Sequence, residues 1–249
     1  MKNIFFFLSF SFCLLSLTQA QNPYVEQSFP WLNLKQVKES KIKTIMLATT
    51  GDDGTVKHQT VLSFNSLGLL VKEDHQTGYR YTNVFVYQSN NNLNYCISTD
   101  NSSSDTMWFE YLPAEKLIIS RVYKVNSSGG YNLSLNKYEY DANQKLAAFE
   151  RLSGSVPDRN NMGKNGLSES DRTTYSWIGE NMLSMNSDYL ETRTYSDDGK
   201  LLTMKTENIL YEIAEDYEYS YDQSGQLVMI TKSDGETITK TFVTYEFYQ

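Results

Sequence analysis

The stretch Tyr221-Asp222-Gln223-Ser224-Gly225-Gln226-Leu227 has the chemistry of a tight β-hairpin turn. The carboxylate of Asp222 accepts hydrogen bonds from turn backbone, and Gly225 adopts at low cost the left-handed conformation that closes a three-residue loop. In such a loop the flanking residues, Tyr221 and Leu227, lie opposite each other on one face of the hairpin. The stretch therefore predicts a hairpin that ends in an aromatic/leucine pair.

The same spacing of aromatic residue and leucine occurs seven times in the chain. The pairs are Phe64/Leu70, Tyr87/Leu93, Tyr111/Leu117, Tyr140/Leu146, Trp177/Leu183, Tyr195/Leu201 and Tyr221/Leu227. The residues predicted to be left-handed are Gly68, Asn91, Glu115, Gln144, Asn181, Gly199 and Gly225. A fixed offset that recurs this often is typical of a repeat architecture, in which each unit packs against its neighbours.

The rest of the chain extends this pattern. Turn residues Gly51–Gly54 join a first pair of strands, and residues 237–247 form a closing strand. The position after each leucine is often apolar, so we expect part of the second face to be covered, by the lead-in segment or by the sheet itself. The predicted fold is all-β: an antiparallel meander of about seven β-hairpin repeats in one curled, extended sheet, with a short N-terminal lead-in.

The N-terminus has the pattern of a secretory signal peptide at residues 1–20. Lys2 precedes an apolar run, and Thr18-Gln19-Ala20 is a small-residue cleavage site. The run is short for a membrane-spanning helix. We therefore expect an exported protein, periplasmic or extracellular, with no transmembrane segment after signal cleavage.

The remaining chain divides into two predicted parts. Residues 21–41 are a lead-in segment, in which Leu34–Lys41 has the pattern of a short amphipathic helix. Residues 42–249 are the predicted β-hairpin repeat domain.

The charge of the chain excludes several kinds of partner. With 22 basic and 30 acidic residues, the formal net charge is −8. Binding to nucleic acid or to other polyanions depends on basic clusters, and the sequence contains none that stands out. We therefore expect no nucleic-acid partner.

Residues with catalytic or metal-binding chemistry are few. His58 and His75 are the two histidines, and Cys96 is the one cysteine beyond the predicted signal peptide. Their spacing matches no metal-binding motif, although a zinc site or a Cys–His pair assembled by folding stays open. The Asp52-Asp53-Gly54 and Asp197-Asp198-Gly199 stretches are better explained as turns than as calcium loops. We predict no enzyme, and no catalytic, cofactor-binding or metal-binding residue.

Three of the turn stretches resemble a known repeat family. Tyr140-Asp141 with Leu146, Tyr195–Leu201 and Tyr221–Leu227 are similar to the tyrosine/aspartate repeat, the YD or RHS-type repeat, of bacterial surface and secreted proteins. The resemblance covers about residues 60 to 232 and implies β-hairpins joined into a continuous antiparallel sheet. The repeats are too few for the closed shell of long members, so it implies a short exported hairpin-repeat protein.

Two functions are compatible with these features. The first is a non-enzymatic binding or structural protein that presents loops or an aromatic sheet face to a protein or glycan partner. The alternative is a carrier of a lipid or other apolar ligand in the concave face of the curled sheet, which requires an empty interior. The connections between hairpins vary in length, and the longest, Leu152–Arg172, is the main candidate for a partner-specific surface.

Overall fold

The computed structural model of the protein describes residues 22–51, 53–77, 80–125, 131–156, 168–179 and 181–249, so the predicted signal peptide lies outside the described residues. Its helices are α1 (Pro23–Ser28) and α2 (Leu34–Glu39), with one 3-10 turn at Pro113–Glu115. Its strands are β1 (Ile42–Thr50), β2 (Val56–Phe64), β3 (Leu70–His75), β4 (Tyr81–Tyr87), β5 (Leu93–Asp100), β6 (Ser104–Leu112), β7 (Leu117–Val125), β8 (Tyr131–Tyr140), β9 (Leu146–Val156), β10 (Ser168–Ile178), β11 (Asn181–Met185), β12 (Tyr189–Tyr195), β13 (Leu201–Asn208), β14 (Ile213–Tyr221), β15 (Leu227–Ser233) and β16 (Ile238–Phe247).

In the described part of the chain, sixteen antiparallel strands form one closed barrel. Each strand pairs with its neighbours in sequence, and the ring closes because β1 pairs with β16, with Leu47 opposite Val243 and Ile45 opposite Tyr245. The expected open, curled sheet of about seven hairpins is therefore wrong. Closure pairs the two strands that an open sheet leaves as exposed edges.

The interpretation as a repeat protein is wrong for the same reason. Units of a repeat array contact only their neighbours in sequence, whereas here the first strand pairs with the last and all strands surround one interior. The descriptions as a β-hairpin repeat, YD-repeat or RHS-like protein are corrected accordingly. What holds of that resemblance is the all-β character of the chain.

Most of the local turn predictions are confirmed. Five aromatic/leucine pairs lie opposite each other, namely Phe64/Leu70, Tyr87/Leu93, Tyr140/Leu146, Tyr195/Leu201 and Tyr221/Leu227. The predicted left-handed residues of the same five turns have positive φ, namely Gly68, Asn91, Gln144, Gly199 and Gly225. The pairing register shifts by one residue beside each of these pairs, as expected for a turn with a bulge.

The other two turns differ from the prediction. Tyr111 lies opposite Ile118, and the left-handed residue is Lys116, because Pro113 begins a 3-10 turn. In the other turn Trp177 lies opposite Met182, and Gly179 has the positive φ.

The polar ends of the aromatic anchors connect one hairpin to the preceding one. The Tyr87 hydroxyl donates to the Leu70 carbonyl at 2.8 Å, and the Tyr221 hydroxyl donates to the Leu201 carbonyl at 2.8 Å. The Trp177 indole N–H donates to the Leu146 carbonyl at 2.9 Å. In each case the acceptor is the leucine of the aromatic/leucine pair in the preceding hairpin. The anchor thus supplies a hydrogen-bond donor to a backbone carbonyl where the strand pairing is irregular.

The barrel has two different ends. The tight turns with the aromatic/leucine pairs all lie at one end, here called the turn end. The connections of variable length lie at the other, here called the return end. The strands extend into the predicted loop Leu152–Arg172, since β9 ends at Val156 and β10 begins at Ser168, and residues 157–167 lie outside the described part.

The lead-in segment forms two short helices. The side chain of Asn22 accepts a hydrogen bond from the Val25 backbone and caps α1, and the side chain of Asn33 caps α2. The helix predicted at Leu34–Lys41 is confirmed as α2, whereas α1 was not predicted.

Candidate functional site

Residues 22–39, here called the plug, occupy the turn end of the barrel interior. The Tyr24 ring packs on Phe85 of β4 at 5.0 Å between centroids, and the Gln36 amide donates to the Gly225 carbonyl beyond β14 at 3.1 Å. Only a segment across the mouth reaches these separated parts of the ring. Val25, Phe29 and Val37 belong to the same buried cluster as the barrel wall.

The aromatic anchors, Trp177 apart, pack in or against this buried cluster and therefore face inward. Strand alternation identifies the other inward residues. The residue two positions before each anchor forms a second layer, which is mainly apolar or aromatic: Leu62, Phe85, Phe109, Tyr138, Tyr175, Arg193 and Tyr219. The outward face was expected to be partly covered, but Leu202 and Val228 beside the turns are 40% and 37% exposed. The covered face is the inner one.

Farther from the turns the inner face becomes polar. The residues four positions before the anchors form a third layer: Thr60, Asn83, Met107, Asn136, Thr173, Glu191 and Tyr217. The described residues six positions before the anchors form a fourth layer: His58, Tyr81, Asp105, Ser134, Tyr189 and Glu215. The half of the lumen toward the return end is thus lined mainly by polar and tyrosine side chains, and most residues of these two layers are at least partly exposed to solvent.

A hydrogen-bonded cluster joins the plug to this polar half. Glu73 is 2% exposed, and its carboxylate accepts hydrogen bonds from the Tyr24 hydroxyl at 2.5 Å and the Asn83 amide at 2.9 Å. The other carboxylate oxygen lies 2.6 Å from His75 Nε2. The His75 ring stacks on Tyr81 with 3.9 Å between centroids. Two donors and the His75 ring nitrogen thus surround one buried carboxyl group, which would be costly to bury without polar partners.

His75 and Tyr81 also line an open cavity of about 440 Å³ at the return end. Burial raises the pKa of Tyr81 to about 12, so its hydroxyl is protonated at neutral pH. The stacked pair therefore offers a partly exposed ring surface with a hydrogen-bonding hydroxyl.

A second polar cluster lies on β12, β14 and β15. Glu191 and Arg193 form an ion pair with 2.7 Å between oxygen and nitrogen, and Lys232 lies 2.6 Å from Glu215. The Tyr217 hydroxyl donates to Glu215 at 2.6 Å, and the Lys232 ammonium lies 5.7 Å from the centroid of the Tyr217 ring. All five side chains face the lumen by strand alternation.

The ionisation of this cluster follows from its contacts. The hydrogen bond from Lys232, followed by that from Tyr217, lowers the pKa of Glu215, so the carboxylate is ionised at neutral pH. Burial, and then the Glu215 hydrogen bond, raises the pKa of Tyr217. This cluster therefore presents the Glu215 carboxylate, the Lys232 ammonium and the Tyr217 hydroxyl around the Tyr217 ring.

The candidate residues from the sequence fall in different places. His58 is exposed near the return end, His75 belongs to the Glu73 cluster, and Cys96 is buried opposite Phe85. Burial, and then Glu73, raises the pKa of Cys96 to about 12, which disfavours the reactive thiolate. Among the described residues no three His, Cys, Asp or Glu side chains form a group suited to a metal ion.

Strand alternation in the sequence identifies several of the inner polar residues. Counting back in steps of two from each aromatic anchor gives Asn83, Glu191 and Glu215 on the same face as the anchors. The side chains opposite them on neighbouring strands, including Glu73 and Lys232, follow only from the pairing register.

Comparisons with known proteins support the fold alone. No protein-family model matches the chain, and no curated protein matches it. A crystal structure of a porin-like protein from Bacteroides uniformis ATCC 8492 is similar, with a TM-score of 0.52 and 11% identity, over 82% of this chain and 98% of that one. Structures of TcdB2-TccC3-Cdc42 and TcdB2-TccC3-TEV match at 14% and 11% identity, over 76% and 82% of this chain and 10% and 15% of theirs. Their TM-scores are 0.22.

The likeness to the porin-like protein supports an all-β fold for this chain. Within the described residues, no helix has the length and apolar character needed to cross a membrane.

Proposed function

We propose that the protein is an exported, non-enzymatic binding protein that takes up a glycan in the polar half of its barrel lumen. The observation that carries the proposal is the change of the inner lining from apolar at the turn end to polar and tyrosine-rich at the return end. The plug occupies the apolar half. At the return end His75 and Tyr81 line an open cavity of about 440 Å³, so we infer that a ligand enters from that end.

The polar half offers the groups that a sugar requires. Tyrosine rings such as Tyr217 and Tyr81 stack on the apolar face of a sugar ring, and carboxylates such as Glu191 and Glu215 accept hydrogen bonds from its hydroxyl groups. Pockets for small ligands combine apolar surface with a few placed polar groups in this way. The excess of acidic over basic residues in the chain favours a neutral or cationic glycan over a polyanionic one.

The outer wall of the barrel is suited to water. Charged side chains lie on the outer face of several strands, where a lipid-facing barrel has an apolar band. Exposed apolar side chains such as Val84, Trp108 and Leu183 lie between them. Outward ion pairs include Lys72–Asp74 at 3.3 Å, Arg121–Glu110 at 2.6 Å, Arg172–Glu139 at 3.4 Å and Lys205–Glu207 at 2.6 Å. We therefore propose that the protein acts as a water-exposed barrel despite its likeness in fold to a porin-like protein.

The alternative of a lipid carrier has less support. It requires an empty apolar interior, and the apolar half of the lumen contacts Val25, Phe29 and Val37 of the plug. A lipid would have to replace side chains that are already buried there.

Binding to an array of neutral and amino oligosaccharides tests the proposal. Tyr217→Ala removes the ring between the two ion pairs and should weaken binding to the best array ligand by about tenfold or more, since about 1.4 kcal/mol corresponds to a factor of ten. The matched control is Phe242→Ala on the outer wall, a side chain that is 45% exposed, which should bind as the unmodified protein does. Absence of any glycan ligand, or equal loss in both variants, would contradict a lumen site.

A further inference from the structure

Glu26 occupies an unusual position in the plug. It lies on α1, and its carboxyl group accepts a hydrogen bond from the Tyr140 hydroxyl at 3.1 Å. Tyr140 thereby differs from anchors such as Tyr87 and Tyr221, whose hydroxyls donate to leucine carbonyls. At this one anchor position, the barrel wall binds the plug through an ionisable group.

In the described part of the chain, no ion pair with a cation balances a negative charge on Glu26. The groups that face it are tyrosines: Tyr111 from β6, and Tyr138 and Tyr140 from β8. The nearby β8–β9 turn carries Asp141, and Lys200 of the β12–β13 turn pairs with Asp198 at 2.5 Å. Among the described residues no lysine, arginine or histidine forms an ion pair with Glu26.

Water has access beside the carboxyl group. Glu26 lines a cavity of about 410 Å³ between the plug and the turns, and Tyr140 lines another of about 300 Å³ with Tyr111. Outward movement of α1 would therefore transfer the Glu26 carboxylate from protein to water.

We propose that the plug is a pH-controlled closure of the turn end, with Glu26 as its titrating group and Tyr140 as the docking partner on the wall. A protonated Glu26 is neutral and stays docked. An ionised Glu26 forms no ion pair with any described cation, and it favours release of α1 into water, which opens the turn end. This closure is independent of the ligand that the opposite half of the lumen takes.

The direction of the pH effect follows from the protonation of the docked state. Burial raises the pKa of Glu26 from its usual 4.5 to about 7, with the Tyr140 hydrogen bond acting in the opposite direction. The docked plug therefore binds a proton more tightly than the released plug does. Docking is favoured below pH 4.5 and weakens as the pH rises through about 7.

Cys96 provides a natural reporter of opening. It is buried opposite Phe85, and the Phe85 ring lies under Tyr24 of the plug. The experiment measures the rate at which an uncharged disulfide reagent labels Cys96 between pH 5 and pH 8.5. Each rate is divided by that of Glu26→Gln at the same pH, which cancels the titration of the thiol itself.

We expect this ratio to rise by roughly tenfold or more from pH 5 to pH 8.5. The released plug loses the Glu26 proton more readily than the docked plug, so rising pH favours release. Tyr140→Phe removes the donor that favours the ionised carboxylate, so the rise should persist with its midpoint at higher pH. Glu39→Gln on the exposed face of α2 is the control and should behave as the unmodified protein.

Three results would overturn the proposal. One is a ratio that does not change with pH, and another is absence of labelling at every pH. The third is labelling that depends on urea as steeply as global unfolding does, because the plug would then open only when the whole barrel unfolds.

Discussion

At the residue scale, the anchors explain why this barrel uses so many tyrosines. A phenylalanine ring fills the same space, but the tyrosine hydroxyl also reaches a carbonyl of the preceding hairpin, as the Tyr221 hydroxyl does at 2.8 Å from the Leu201 carbonyl. Each such bond satisfies a backbone acceptor beside a register shift and contributes about 0.5–1.5 kcal/mol. The anchor residue therefore serves both the core and the ladder.

The left-handed turn positions give a direct test of the common turn geometry. Gly225 has φ +81, and an added Cβ would meet only the flexible end of Lys200 at 3.0 Å. Gly225→Val should lower the free energy of unfolding by about 1–2 kcal/mol, because a β-branched residue is strained at positive φ.

Asn91, with φ 67, is the matched position for this test. Asn91→Gly relieves the same kind of strain and should be neutral or mildly stabilising in urea unfolding. Equal effects of the two substitutions would show that the turns do not share one geometry.

At this scale the sequence was sufficient to predict the conformation of a turn that has the common pattern. Asp222 and Gly225 identify their own turn because the hydrogen bonds and the positive φ are local. It was insufficient at Lys116, since Pro113 changes the turn to a 3-10 form and moves the left-handed residue by one position.

At the element scale, the plug helices depend on contacts with the barrel for their stability. α1 and α2 have six residues each, and helices this short do not persist alone in water. They depend on burial of Val25, Phe29 and Val37 inside the barrel. Periodicity predicted α2, but it did not predict α1, and no local signal indicates that both helices enter the barrel.

A pair of glycines tests whether α2 docks where the structure places it. Gly68 and Gly199 both have left-handed φ, +78 and +80. A Cβ on Gly68 would lie 2.7 Å from Lys38 Cβ and 2.9 Å from its backbone, whereas a Cβ on Gly199 has nothing within 4 Å. Both alanine substitutions incur the left-handed strain, and only Gly68→Ala also displaces α2.

We expect Gly68→Ala to lower the free energy of unfolding by about 1–3 kcal/mol more than Gly199→Ala, as for other overpacked contacts. Urea unfolding monitored by circular dichroism measures the difference. If the two variants were equally stable, α2 would not lie against the β2–β3 turn.

At the scale of the whole molecule, closure of the barrel was beyond the reach of the sequence pattern. Hairpins follow from residues a few positions apart, but the contact between Ile45 and Tyr245 joins the two ends of the described chain. Alternation in each strand is the same for an open sheet and a closed ring. The polar lumen, in contrast, is implied by that alternation once the anchors are known to face inward.

At this scale the structure places the plug inside the closed barrel at its turn end, and the polar half of the lumen toward the return end is the proposed ligand site. Amide hydrogen exchange of residues 22–41 at about pH 6 tests this placement of the plug most directly. Phe29 and Val37 donate backbone hydrogen bonds to Val25 and Asn33 at 2.8 and 3.0 Å, and these bonds survive only if the helices are docked. If the plug is docked inside the barrel, these amides exchange far more slowly than those of an unstructured peptide, with protection approaching that of the barrel strands. Exchange at the rate of an unstructured peptide, while the strands stay protected, would contradict docking of the plug.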